Sequence, residues 1–185
     1  MSEFDAVFLD RDGTLNVKAD EGAYVTEPAQ LVLLPGAAAA VRRLNQAGVP
    51  VILVTNQRCI ARGLLSPDGY GAVAERLRHL LAEGGARLDA EYVCPHEGGS
   101  CDCRKPLPGL LHRAAADHAG LVLEHAALVG DAESDVQAGL AAGLTTVRLA
   151  PAGVPTAACR RCADVGEAVD WLLAAADQPG PAPAR

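Results

Sequence analysis

The chain has 185 residues, with 16 Lys+Arg against 23 Asp+Glu and a formal net charge of -7. That balance excludes a non-specific nucleic-acid binder, which needs a basic face to displace counterions, and a polybasic membrane-surface protein. Hydrophobic residues make up 50%, enough for one packed core, while 3% aromatics leave little material for base-stacking platforms.

The opening Met1-Ser2-Glu3-Phe4-Asp5 is acidic and lacks the basic and apolar regions of a signal peptide. No apolar run reaches membrane-spanning length, so the expected setting is the cytoplasm, with neither membrane nor nucleic-acid partners and a monomeric chain. Six cysteines in a cytosolic chain read as metal ligands, reactive thiols or core residues rather than disulfides.

The first predicted strand is Phe4 to Leu9, and it stops at Asp10-Arg11-Asp12-Gly13-Thr14. Leu15 to Leu34 has no regular pattern. A helix follows over Ala37 to Ala47, then a strand over Val49 to Val54 ending at Thr55-Asn56. Ser66-Pro67-Asp68 is an N-cap signal for a helix over Tyr70 to Ala82. A weaker strand ends at Tyr92-Val93, before the irregular Cys94 to Leu107. Leu110 to Ala119 reads as helix, Ala126 to Val129 as strand, Asp131 to Ala142 as helix, Thr145 to Leu149 as strand and Gly166 to Ala176 as helix. Short apolar strands alternating with helices predict a doubly wound, Rossmann-like α/β fold with a parallel sheet. Residues 1–178 form the expected single domain, and 179–185 a disordered Pro/Ala tail. Both irregular stretches begin where a strand ends, which is where open α/β sheets bind ligands.

Asp10 and Asp12 straddle one residue at a strand end. A carboxylate can attack phosphorus, splitting one displacement into two easier ones, and a second can protonate the leaving oxygen and then activate water. Gly13 permits the sharp turn that turns backbone N–H groups toward phosphate oxygens. Thr55-Asn56 offers a hydroxyl and amides for a phosphoryl oxygen, though such residues also cap turns. Gly130-Asp131 ends another strand, with Asp135 four residues on, and a hard carboxylate there suits Mg²⁺. The chain has 14 Arg and two Lys, Lys18 and Lys105, so an ammonium at Lys105 hints that a compact point charge is wanted.

Cys94-Pro-His96 and Cys101-Asp-Cys103 put three thiols and an imidazole within ten residues. Four such ligands with no open position predict a structural Zn²⁺ site. The ion would fix a polar loop and aim Arg104-Lys105 toward the phosphate. Cys159-Arg-Arg-Cys162 is a lone CxxC without a partner pair or a helix start, a weak signal for a metal or redox role that leaves its part open. Cys59 reads as a core thiol, and His79, His112, His118 and His125 as surface or capping residues.

Asp10-x-Asp12-Gly-Thr, Thr55, Lys105 and Gly130-Asp131-x-x-x-Asp135 resemble the four motifs of the haloacid dehalogenase superfamily of phosphohydrolases, in order and over nearly the whole chain. The resemblance implies Asp10 as nucleophile, Asp12 as general acid/base, and Thr55 and Lys105 as stabilisers of the transferring phosphoryl group. It also implies Mg²⁺ on Asp10, Asp131 and the backbone carbonyl of Asp12.

The Cys-x-His…Cys-x-Cys-Arg-Lys-Pro run resembles the D-glycero-D-manno-heptose 1,7-bisphosphate 7-phosphatases and the related histidinol-phosphate phosphatases. Residues 10–16, Tyr24-Val25, Thr55-Asn56-Gln57 and Ile60-Ala61-Arg62-Gly63 look more like the heptose enzymes. Departures are Arg58-Cys59 in place of a small Ser-Gly pair, a slightly longer 16–24 segment, a shorter Cys/His loop, and Ala132 where Lys often follows. No inserted segment is long enough for a large cap domain. The implied substrate is a small sugar phosphate, a heptose bisphosphate losing its C7 phosphate. Histidinol phosphate or another small sugar phosphate is the alternative. Tyr24, Asn56, Gln57, Arg58 and Arg104 are the expected substrate-binding residues, with Arg104 best suited to hold a retained second phosphate.

Overall fold

The computed structural model describes residues 4–175. Its six parallel strands are β1 (Ala6–Leu9), β2 (Val51–Asn56), β3 (Ala90–Cys94), β4 (Ala126–Gly130), β5 (Thr145–Leu149) and β6 (Arg160–Cys162), in the order β3-β2-β1-β4-β5-β6. The helices are α1 (Ala37–Gln46), α2 (Pro67–Glu83), α3 (Gly109–Asp117), α4 (Glu133–Ala141) and α5 (Val165–Ala175). The expected tail at 179–185 lies outside the described residues.

Strand side chains alternate between two apolar layers. Val7 and Leu9 of β1 pack with Val41, Leu44, Leu77, Leu81, Val169 and Leu172 from α1, α2 and α5. Ala6 and Phe8 face the other way, against Leu110, Leu111 and Ala114 of α3 and Ala138 of α4. Helices on both faces explain why the central strands read as continuous apolar runs rather than alternating ones. The Ser66 cap is present: its hydroxyl accepts from Gly69 N at 3.0 Å.

Besides shifts of a few residues at other element ends, three differences from the sequence reading matter here. Cys94 is the last residue of β3 rather than the first of a loop, so one sulfur of the Cys/His cluster sits on the sheet itself. The helix after β4 starts at Glu133, leaving Asp131 ahead of it on the strand-end turn. β6 has no apolar signature because it is a three-residue edge strand with two exposed arginines, and it takes up the Cys159–Cys162 region.

The order reverses direction between β1 and β4, the switch point at which open sheets leave a crevice beyond the strand ends. Leu9 pairs with Val129, so Asp10 and Gly130-Asp131 leave the sheet side by side. The 15–34 segment overhangs this edge, tied back by bridges Asp12–Asn16 and Asn16–Leu33. Among the described residues no inserted cap domain covers it, and no helix is long and apolar enough to cross a membrane.

Candidate active site

Asp10, Asp131 and Asp135 converge over the ends of β1 and β4, each offering a carboxylate oxygen within 4.8 Å of the others. The backbone makes room for them. A Cβ on Gly13, whose φ is +86°, would stand 2.4 Å from Asp131 Oδ2, and one on Gly130 would stand 2.4 Å from Asp135 Oδ2. Asp135 is buried rather than a solvated first-turn acid, and its Oδ2 accepts from Ala132 N at 3.0 Å.

Lys105 enters this cluster from below, nearly fully buried. Its Nζ lies 2.7 Å from Asp10 Oδ1 and 2.6 Å from Asp135 Oδ1, and donates to Val54 O at 2.8 Å. Burial opposes its charge, but Asp10 and Asp135 outweigh that and hold the ammonium firmly protonated. One ammonium between two buried carboxylates leaves the pair short of positive charge. Burial pushes Asp10 up to about 7, against the pull of Lys105 and with help from Asp135 and Asp12. A hard divalent cation fits that deficit and those oxygen donors. A cation already rests there: Lys18 Nζ lies 2.7 Å from Asp131 Oδ2. Burial would lower the Lys18 pKa, but the Asp131 hydrogen bond and the nearby carboxylates raise it.

Asp12 has a different environment. Burial would raise its pKa, yet Arg11 and hydrogen bonds from Asn16 and Gln57 hold the carboxyl below its usual range. Arg11 Nη2 is 3.1 Å from Oδ1 and 3.0 Å from Oδ2. Asn16 Nδ2 donates to Oδ1 at 3.0 Å, and Gln57 Nε2 donates to Oδ2 at 2.9 Å. Arg11 itself is 1% exposed and lies 5.8 Å from the Tyr70 ring centroid, a cation–π contact for its buried charge. Two adjacent acids are thus set apart, Asp10 holding its proton more readily and Asp12 ionised.

The four ligands expected for zinc do converge. Cys94 Sγ is 3.7 Å from both His96 Nδ1 and Cys101 Sγ, while Cys103 Sγ is 3.3 Å from His96 Nδ1 and 3.4 Å from Cys101 Sγ. Zn–S bonds of about 2.3 Å in a tetrahedron place sulfurs roughly 3.8 Å apart, so the donor set fits a four-coordinate ion. Burial and the adjacent sulfurs push the Cys103 thiol up to about 12. Cys94 and Cys103 are also packed into the apolar layer under α3.

Two residues after Cys103, the Lys105 backbone is clamped by Asn56. Asn56 Nδ2 donates to Lys105 O at 3.0 Å, and Lys105 N donates to Asn56 Oδ1 at 3.1 Å. The Lys105–Pro106 peptide is cis.

A cavity of about 320 Å³ opens over the cluster. All the expected catalytic and substrate-binding residues border it: Asp10, Asp12, Thr55, Lys105, Tyr24, Asn56, Gln57, Arg58 and Arg104. Their duties differ. The Asn56 and Gln57 amides are committed to Lys105 and Asp12, so within the protein they act as supports. Arg58 Nε donates to Tyr24 Oη at 2.7 Å, and its guanidinium lies 5.9 Å from the Tyr24 ring centroid. Arg62 bridges Tyr24 and Glu97 of the Cys/His loop, with both Glu97 bonds at 3.0 Å. Arg104 Nη1 donates to His96 O at 3.3 Å. Both guanidinium groups that border the cavity are therefore held on its Cys/His-loop side.

Sequence reasoning missed Lys18 and Arg11 and left Asp135 open. The scarcity argument applied to Lys105 holds equally for Lys18: both lysines of the chain meet the one carboxylate cluster, Lys105 at Asp10 and Asp135 and Lys18 at Asp131. Arg11 gave a weaker signal, a cation enclosed between two acids.

A HAD-hydrolase-like family model matches residues 102–161. The chain is 40% identical over 179 residues to the D-glycero-beta-D-manno-heptose-1,7-bisphosphate 7-phosphatase of Yersinia pestis, covering 91% of this chain and 89% of that protein. It is 36% identical to the Bordetella bronchiseptica protein of the same name, with 90% and 97% covered. The crystal structure of a D,D-heptose 1,7-bisphosphate phosphatase from B. bronchiseptica, complexed with magnesium and phosphate, superposes with a TM-score of 0.83 at 34% identity, covering 94% of this chain and all of that one.

Proposed function

Because the chain belongs to the D-glycero-beta-D-manno-heptose-1,7-bisphosphate 7-phosphatase family, we propose that it hydrolyses a heptose bisphosphate, releasing the C7 phosphate through an aspartyl-phosphate on Asp10. The observation that carries this reading is the convergence of Asp10, Lys105, Asp131 and Asp135 at the strand ends, with Asp12 bordering the same cavity.

Asp10 attacks phosphorus in line, and the bond to the C7 oxygen breaks. Asp12, which takes up a proton from solvent or from the monoanionic phosphate as substrate binds, delivers it to that oxygen. The arriving phosphate adds negative charge beside Asp12 and raises its proton affinity, which offsets Arg11. Water then attacks the aspartyl-phosphate while Asp12 takes its proton, and inorganic phosphate leaves. Lys105 and the Thr55 hydroxyl meet the equatorial oxygens, where charge gathers as the phosphoryl group moves.

Mg²⁺ would be held by Asp10, Asp131 and the Asp12 carbonyl, and when bound it supplies further neutralisation of the phosphoryl oxygens. We assign Zn²⁺ to Cys94, His96, Cys101 and Cys103, as a structural ion that holds the loop leading to Arg104 and Lys105. The six unpaired cysteines suit a reducing cytoplasmic setting.

The two cavity guanidiniums favour a substrate with a second anion. Tyr24 fixes Arg58 through its Nε and Glu97 lies 3.9 Å from its Nη1, which leaves Nη2 for a phosphate, and Arg104 stands next to Lys105. The test is phosphate release with Mg²⁺ over heptose 1,7-bisphosphate, heptose 7-phosphate and histidinol phosphate. The bisphosphate should give the highest kcat/KM, with the C1 phosphate retained in the product. A preference for histidinol phosphate would overturn the substrate and leave the chemistry standing.

A further inference from the structure

We infer that Gln57 is a positioning residue that aims the single proton of the Thr55 hydroxyl at the transferring phosphoryl group. The inference rests on the role given above to Thr55 and adds a residue that acts through it.

Gln57 is 2% exposed. Its backbone N–H donates to Cys94 O at 2.7 Å, which anchors the residue to the end of β3. Its side-chain Nε2 has two hydrogens and two acceptors: Asp12 Oδ2 at 2.9 Å and Thr55 Oγ1 at 2.8 Å. Its Oε1 takes a contact from Cys59 Sγ at 3.6 Å.

The placement of the amide sets this arrangement: its nitrogen, which only donates, lies against Asp12 Oδ2, and its oxygen is turned away to Cys59. The same nitrogen then faces Thr55, whose oxygen must accept. A hydroxyl that accepts from a fixed donor still has one proton to give, and no acceptor among the described residues takes it. Thr55 is 1% exposed and borders the cavity with Asp10. The proton therefore faces the space where the phosphoryl oxygens sit. Without Gln57 the hydroxyl is free to turn its proton onto the Asp12 carboxylate or back on its own strand, and the donor is lost when transfer begins.

The test is a double-mutant cycle of Gln57→Leu with Thr55→Val in the Mg²⁺-loaded full chain, on p-nitrophenyl phosphate and on phenyl phosphate. Gln57→Leu should lower kcat roughly five- to tenfold with KM moved less than twofold, equally on both substrates. In the Thr55→Val background the same change should cost less than twofold, because the hydroxyl it aims is gone. Unfolding curves of all four proteins check the fold, and Gln57→Met replaces Gln57→Leu if the latter does not fold.

Full additivity of the two changes would overturn the inference while leaving Thr55 its role. A loss confined to phenyl phosphate, whose leaving group needs more protonation, would assign Gln57 to Asp12 instead and also overturn it. A Thr55→Val protein with wild-type kcat would overturn both this inference and the reading of Thr55 on which it rests.

Discussion

Removing the charge of the proposed nucleophile should stabilise the Mg²⁺-free protein while ending its turnover. Asp10 is 7% exposed and shares one ammonium with Asp135, and burial pushes it from its ordinary 3.8 up to about 7. Each pH unit of that difference is worth about 1.4 kcal/mol, so ionised Asp10 costs the fold at most about 4 kcal/mol, and about 2–4 kcal/mol is expected. The sign follows from proton counting. Below about pH 4 the carboxyl is protonated in folded and unfolded chains alike and costs nothing. Between about pH 4 and 7 the folded chain keeps the proton that the unfolded chain has lost, so wild-type stability falls as pH rises. Above about pH 7 the full penalty is present.

Asp10→Asn lacks this titration and leaves Lys105 paired one to one with Asp135. Its advantage over wild type should open between pH 4 and 7 and level off near 2–4 kcal/mol, or roughly 5–12 °C in Tm. The assay is urea unfolding of both proteins at pH 5 and pH 8. Magnesium is removed by dialysis without chelator, so that any ion on the Cys/His loop stays in place, and mass spectrometry verifies the substituted amide. Added Mg²⁺ should then raise wild type more than the variant and narrow the gap. A variant no more stable than wild type at pH 8, or a gap as large at pH 5 as at pH 8, would refute the charge-deficit account.

Other perturbations separate the remaining parts. Asp12→Asn should slow alkyl phosphates by about 10²–10⁴-fold and p-nitrophenyl phosphate much less, as shown by a steeper dependence of rate on leaving-group pKa. Purified protein should carry about one zinc per chain by metal analysis, and Cys101→Ser should lower both zinc content and Tm. Arg104→Ala should cost roughly tenfold to a hundredfold in kcat/KM for the bisphosphate and far less for heptose 7-phosphate. An equal loss on both substrates would remove Arg104 from the second-phosphate site. Lys18→Met should tighten Mg²⁺ binding by roughly two- to fivefold in a calorimetric titration, since a half-exposed ammonium no longer competes for Asp131.

The parts legible in the sequence are those written in local pattern. Apolar runs ending at Asp10, Thr55 and Asp131 located three strand ends, and a parallel sheet with helices on both faces followed from their alternation. The Cys/His cluster was equally visible, because its four ligands lie within ten residues. What stayed hidden is pairing across the chain. Lys18 meets Asp131 over 113 positions, Gln57 meets Asp12 over 45 and Asn56 meets Lys105 over 49. Such contacts depend on which strands become neighbours, and a TNQ triplet at a strand end looks the same whether its amides face substrate or protein. The three-residue β6 was invisible for another reason: at a sheet edge, Arg160 and Arg161 carry no burial pattern to detect.

The metal loop and the acid cluster are joined through Lys105. Burying an ammonium among carboxylates is favourable only if its position is held closely, because breaking such a pair strands the partner charges at about 3–5 kcal/mol. Lys105 cannot hold itself: it follows a polar loop that has few apolar side chains of its own. Asn56 fixes its backbone from the end of β2, and Cys94 and Cys103 fix the loop from the end of β3 and the apolar layer beneath α3. Four converging ligands with no bound cation would leave buried thiols crowded together, with Cys103 raised to about 12. An ion there would therefore do more than stabilise a loop. Held by the loop, it would set where Lys105 meets Asp10, so stripping zinc should reduce kcat before the domain unfolds.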